Sequence, residues 1–364
     1  MAYQIRSVMI PDPVDDSGGT GDRWEIGSEF HWMGMAPAPF ISWPERASWF
    51  LLGRHAVAGL MRSFPSDTRR LWVPEYFCHD VAAYWGGFCS IAIYADDPVR
   101  PEPGWKTLRP AKDDVVLAVN YFGVRSGNPW KEWHEKHGCI LLEDHSHDPV
   151  SGWALESCAD FAFSSLRKTM PVPDGAILWS PRGHALPQTE DEDFSGSALK
   201  LAAMIWKREC LEGRASPEVK PIYREWEHAG EEAFELSRKI YSASRFSREY
   251  LAHGVPVQWR KQREANVRRL LGLVCSDVRS LFNSWPSGST PMAAVFRFES
   301  QAARDLIRKR LEAANIYCPI HWPARPHCVE SIRELAATML TVPADQRYKE
   351  EDMDRIASVL LSGR

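Results

Sequence analysis

The sequence contains no Cys-x-x-Cys pair. Its eight cysteines, from Cys78 to Cys328, are scattered along the chain. That excludes a zinc ribbon and a thioredoxin-type site, and a secreted disulfide scaffold would be smaller and denser in cysteine. No apolar run reaches the roughly 18–20 residues that a membrane span needs. The opening stretch, MAYQIRSVMIPDPVDD, lacks a long apolar core, so no signal peptide is expected. A cytoplasmic protein with reduced thiols is the resulting expectation. Strong charge of either sign is missing too: 44 basic against 48 acidic residues leave a net charge of −4. No global basic field therefore points to nucleic acid, and Arg268–Arg269 reads as a solvated helix face. There is no internal repeat and no low-complexity tract. What remains is an ordinary globular mix, 44% hydrophobic and 25% charged. At 364 residues it is long enough for a large domain and a smaller one. The sixteen tryptophans are many for that length and are expected to fill cores or interfaces.

Residues 1–45 are rich in Gly, Pro, Asp and Trp, and predict an irregular arm lying across another part of the molecule or a partner subunit. SGGTG at 17–21 looks like a glycine loop, but no apolar strand precedes it, which argues against a phosphate loop. From Glu45 the spacing of Trp49, Leu52, Ala56, Leu60 and Met61 predicts a helix. Within it, Gly53 of GRHA either turns backbone N–H groups toward an anion or is a plain helix-start glycine. Strands are predicted at Leu71–Val73, Cys89–Tyr94, Asp113–Val119, Cys139–Glu143, Asp160–Ser164 and Ala176–Trp179, with helices between several of them. That alternation implies a mostly parallel sheet between helices, with ligands beyond the carboxyl ends of the strands. Tyr76–Phe77, Asn120–Gly123, Asp144–His147 and Lys168 would all lie at that edge. Helices follow at Ser197–Cys210, over 222–251 and at Gln262–Leu273. Strand-like runs at 291–298, Ile316–Ile320 and Ala336–Val342, with helices at Gln301–Ala314 and Glu350–Leu361, predict a small α+β domain over 256–364. The large domain then covers 46–255.

The densest group of ionisable residues is EDHSHD, Glu143–Asp148. It admits three readings. One is a metal site from His145, His147 and Asp148, although the spacing matches neither the helical HExxH pattern nor a zinc finger. Another is a loop of satisfied polar residues. The third is a pyridoxal phosphate (PLP) site, with Asp144 holding the pyridine nitrogen protonated and His147 beside the ring. In that reading Lys168, after the next strand, forms the Schiff base. An exposed loop lysine is the plainer alternative. Favouring chemistry, Ser164 and Ser165 stand ready to bind a phosphate, Gly175 permits close backbone approach, and Arg167 would depress the amine pKa. Tyr76 and Phe77 could stack on a planar ring or belong to the core. Cys78 and His79 make a poor dyad, because neighbours on extended chain face opposite ways.

At these residues the sequence resembles the fold-type I PLP-dependent enzymes of the DegT-like sugar aminotransferase group. The resemblance runs from about Leu52 to the C-terminus and is strongest over 71–180. It implies a PLP-transferase fold and a set of roles. The helix start at Gly53, Arg54 and His55 would bind the cofactor phosphate, with Arg54 where the family carries a small hydroxyl residue. Phe77, or else Tyr76, in VPEYFC would stack on the ring, and NYFGV would supply the family's turn ending at Gly123. Asp144 would pair with the pyridine nitrogen and His147 would neighbour the phenolic oxygen. Ser164 would contact the phosphate, and Ser165 could exchange roles with it because the loop to Lys168 is one residue shorter than the common form. SASRFS at 242–247, with Ser244 and Arg245, would cross to the cofactor phosphate of a partner subunit. The resemblance further implies a homodimer with the active site at its interface, no metal, and transamination from an amino donor to a carbonyl acceptor, a nucleotide-linked keto-sugar. A different PLP reaction and a non-catalytic regulatory or assembly role are the alternatives. Lys168 argues against the lysine-lacking dehydratase variant of the fold.

Overall fold

The structure, a computed structural model, describes residues 24–65, 69–190, 193–236, 239–274, 277–325 and 328–362. The SGGTG stretch at 17–21 and Cys275 lie outside the described residues. A seven-stranded sheet carries the fold. Its strands are β1 (Ala47–Phe50), β2 (Arg70–Pro74), β3 (Ser90–Tyr94), β4 (Val115–Val119), β5 (Ile140–Asp144), β6 (Phe161–Ser165) and β7 (Ala176–Trp179). Across the sheet they stand in the order β1-β7-β6-β5-β4-β2-β3. Strands β3, β2, β4, β5 and β6 pair in parallel, and β7 runs antiparallel to both β6 and β1.

All five residues of β4 are buried, as expected of a parallel strand covered on both faces. This is why VVLAV is an unbroken apolar run with no alternation. Burying each Val or Leu side chain of this strand contributes about 1.5–3 kcal/mol. The sequence reading is corrected at β1. Ala47–Phe50 is a strand, and the helix, α1 (Gly53–Ser63), begins only at the glycine. Trp49 and Leu52 match helical spacing by accident, because the turn between strand and helix preserves it. The close approach of α1 to β6 explains the glycine. A Cβ at Gly53 would stand 3.0 Å from Cβ of Ser165.

Beyond β7 the chain forms a helical hairpin, α2 (Phe194–Leu211) and α3 (Lys220–Leu236). The helical run predicted over 222–251 is therefore broken: α3 ends at Leu236 and a short helix resumes at Arg245–Tyr250. Helix α4 (Val257–Val274) leads to a three-stranded antiparallel sheet of β8 (Arg279–Ser280), β9 (Ala294–Arg297) and β10 (Met339–Val342). The run read as extended from Ala336 is helical through Thr338, the end of a helix that starts at Glu330. Residues 24–45 pack on their own chain. Ile26–Gly27 pairs in parallel with Ile316–Tyr317, and Phe40–Ile41 pairs antiparallel with Val255–Pro256. Among the described residues no helix is long and apolar enough to cross a membrane.

Candidate active site

The carboxyl ends of β2, β4, β5 and β6 and the start of β7 share one edge of the sheet, and the loops there carry the ionisable residues singled out above. Pleating sorts EDHSHD by face. Glu143 and His145 turn one way. Glu143 accepts from Trp153 Nε1 (2.8 Å) and Ser157 Oγ (2.5 Å), and pairs with His145 Nε2 at 3.1 Å. Asp144 turns the other way. It is 6% exposed, and its Oδ1 accepts from the Ser146 N–H at 2.8 Å. Asp148 accepts from Arg260 and from the Thr290 N–H. The three groups of the metal reading thus have three separate sets of partners, and among the described residues no His/Cys/Asp/Glu cluster could hold a metal.

His147 is buried. Its Nδ1 accepts the Phe122 N–H at 2.8 Å, so the neutral ring carries its proton on Nε2. Burial pushes its pKa well below the ordinary value, and the charge of Lys168 lowers it further. Lys168 lies in a single turn after β6, and its Nζ stands 5.7 Å from the centre of the Trp322 indole. Trp322 also stacks on His147 (5.8 Å, 23°) and lies 5.9 Å from Phe77 and 5.8 Å from Tyr76. One indole thereby gathers four of the sequence-predicted residues. Phe77 itself stacks on Trp85 at 5.4 Å. Tyr76 directs its hydroxyl to the His321 carbonyl and to Met339 Sδ, so its polar end is engaged inside the fold.

At the start of α1, Leu52 caps without a side-chain hydrogen bond, which leaves the first-turn N–H groups without a side-chain partner. Arg54 has its Nε and Nη2 buried and unpartnered, and its guanidinium lies 5.4 Å from the Tyr84 ring. His55 stacks on Tyr84 with both ring nitrogens unpartnered, and burial pulls its pKa down to about 3. At neutral pH the ring is therefore uncharged. Ser164 is fully buried, and its hydroxyl donates to the His145 carbonyl. Ser165 sits against Gly53 and is the serine that meets the helix start.

In the loop over 242–247, the two candidate residues face different ways. Ser244 is 2% exposed, and its hydroxyl donates to Asp174 at 2.6 Å. It also caps the Arg245–Tyr250 helix, while Arg245 pairs with Glu249 on the surface. The Ser244 hydroxyl is therefore engaged within its own chain. Cys78 and His79 form no dyad: His79 accepts from Arg325 Nε at 2.6 Å.

Lys168 opens into a cavity of about 620 Å³, within the range of small-molecule sites. His321 and Trp322 line it beside Lys168. Opposite them stand Glu29 of the N-terminal arm and Tyr223 and Glu227 of α3. A partly buried charge network links the elements of that wall. Lys207 of α2, 1% exposed, pairs with Glu25 of the arm at 2.8 Å. Glu231 of α3 joins Lys200 (2.8 Å) to Arg167 (2.6 Å), the neighbour of Lys168. Sequence reading missed this wall and Trp322 alike. The one available signal was the length and charge of the segment between β7 and α4.

Compared with protein-family models and with curated proteins, the sequence matches none. Solved structures do resemble it. A DegT DnrJ EryC1 StrS aminotransferase from Brucella abortus matches with a TM-score of 0.57 at 15% identity, over 88% of this chain and 87% of that one. PseC of Helicobacter pylori, an aminotransferase in pseudoaminic acid biosynthesis, matches with a TM-score of 0.59 at 12% identity, over 87% and 86%. The GDP-4-keto-6-deoxy-D-mannose-3-dehydratase of E. coli, solved with hydrated PLP, matches with a TM-score of 0.56 at 14% identity, over 87% of each chain. The chain has the fold-type I architecture these structures share.

Proposed function

We propose that this protein is a PLP-dependent aminotransferase that transfers an amino group to a keto-sugar, in nucleotide-linked form. One observation supports the reading: Asp144 ends β5 with the buried His147 just beyond it, and Lys168 follows the neighbouring parallel strand β6 at the same edge of the sheet. The residues present suit the cofactor. Asp144 is a carboxylate with no cation partner among the described residues, as a pyridinium partner should be. Gly53 leaves no room for a Cβ, and the helix start and the unpartnered Arg54 N–H groups suit a phosphate.

Bound there, PLP would supply an electron sink for negative charge developing at the donor Cα. Asp144 would keep the ring nitrogen protonated. His147 would donate from Nε2 to the phenolic oxygen, and its low pKa keeps that proton assignment across neutral pH. Lys168 would hold the cofactor through Nζ and, once released, take the proton from Cα. Trp322 would cover one side of the Lys168 amine, which is otherwise exposed. A homodimer and a cytoplasmic location belong to the same proposal.

The test is spectroscopic. The purified protein with PLP should absorb at roughly 410–430 nm, the range of a protein-bound Schiff base, and Lys168→Ala should abolish the band. L-glutamate should then bleach it as the amine form accumulates. Absence of the band after adding PLP would sink the cofactor assignment. A band that no amino acid bleaches would sink transamination and favour a different PLP reaction.

A further inference from the structure

Helix α4 presents two arginines, three residues apart, to the two loops of the candidate site. Arg260 pairs with Asp148, next to His147. Arg263 donates from Nη2 to the carbonyl of Thr169, next to Lys168, at 2.9 Å, and to Oε1 of Gln346 at 2.5 Å. Arg263 is 2% exposed and lines the same cavity as Lys168. The charges around it do not balance. Asp148 is held by Arg260, and Asp345 is held by Arg347 at 2.8 Å. Three guanidinium groups face two carboxylates, and both carboxylates are engaged elsewhere. Arg263 is left with neutral oxygens only, and its Nε is buried without a partner.

Burying a charge is costly unless it is paired. Burial lowers the Arg263 pKa to about 10, which still leaves it protonated at neutral pH. An incoming anion would recover the missing pairing, and a carboxylate suits a guanidinium because its two oxygens match the planar array of N–H donors. An amino donor presents both groups needed, an amine for the Lys168 position and a carboxylate beside it. We propose that Arg263 is the anchor for the carboxylate of the amino donor. This rests on the aminotransferase reading, although the binding it requires can be read without turnover.

Glutarate, an unreactive dicarboxylate, is titrated calorimetrically into the protein with and without PLP, beside inorganic phosphate and propylamine. Glutarate should bind, and Arg263→Met should weaken it by about 10-fold or more, the worth of a charge-assisted hydrogen bond. Arg263→Lys should recover part of the loss. Gln346→Leu removes the hydrogen bond from Gln346 Nε2 to the Thr169 carbonyl, at 2.8 Å, together with the Oε1 acceptor of Arg263, and leaves the Arg263 charge and its bond to Thr169 in place. Glutarate affinity should survive it. Equal glutarate binding by wild type and Arg263→Met overturns the proposal. So does an equal loss in Gln346→Leu, which would mean that Arg263 only props the lysine turn. Tighter binding of phosphate than of glutarate at Arg263 also overturns the donor assignment. In the half-reaction, Arg263→Met should raise the KM for L-glutamate by a larger factor than it changes the response to propylamine. A protein that binds glutarate through Arg263 but never forms the PLP band would refute the function proposed above and leave this anion site standing.

Discussion

The Phe122 N–H donates to Nδ1 of His147 across 2.8 Å, and that one bond fixes the side of the imidazole that faces the site as a donor. Phe122 itself has a positive φ of 55°, next to Gly123 with a φ of 74°. A Cβ on Gly123 would come within 2.6 Å of the Thr290 carbonyl oxygen. Gly123→Ala should therefore displace the Phe122 N–H and free the His147 ring. The expected outcome is a shifted absorption maximum of the PLP-loaded protein and a loss of stability of about 1–3 kcal/mol in urea. An unchanged spectrum would show that the Phe122 bond does not orient the ring.

Acid should unfold the protein through its buried histidines. Burial holds His55 and His321 at about 3, and His147 well below its ordinary value, against 6.5 in the unfolded chain. As pH falls, the unfolded chain binds protons first. The stability these neutral rings contribute is complete above about 6.5 and is lost as pH falls from there toward 3, at roughly 1.4 kcal/mol per pH unit for each ring. His55→Phe removes one titrating ring, so its urea midpoint should fall less steeply between pH 6.5 and pH 4. A slope equal to wild type would contradict the burial of His55.

Asp144→Asn keeps the shape of the side chain and removes the charge. If Asp144 holds the pyridine nitrogen protonated, the glutamate half-reaction should slow by roughly 100-fold or more while PLP still binds. Stopped-flow absorbance would measure it. A rate within a few-fold of wild type would remove Asp144 from that role.

Lys207→Met leaves Glu25 with one cation, Lys220 at 2.7 Å, and breaks the buried link between the arm and the hairpin. A loss of about 3–5 kcal/mol is expected from breaking a buried pair. Limited proteolysis should also cut the arm sooner than in wild type. Wild-type resistance would mean that the wall is held by its apolar contacts alone.

The strands of the sheet were legible because each is a short apolar run between polar loops, and β4 is buried along its whole length. β1 was not, because Ala47–Phe50 is half-buried and its aromatic spacing imitates a helix. The placing of Asp144, His147 and Lys168 on one edge could be read because parallel strands end on the same side of a sheet. Trp322 and Arg263 could not. Their approach to Lys168 arises only when α4 and the chain beyond it fold back over the sheet, and no local pattern encodes it. Ser164 and Ser165 were left open by the sequence, and only pleating shows that Ser165 meets the helix start.

The parallel pairing of Ile26–Gly27 with Ile316–Tyr317 has a consequence for biosynthesis. The arm is synthesised before the seven-stranded sheet, and its partner strand after it. The sheet that carries Asp144 and Lys168 can form well before that, so the nascent chain would pass through a stage with its reactive edge open. The cavity wall would close only once Ile316–Tyr317 has been made, which leaves an interval for a cofactor to enter from bulk solution.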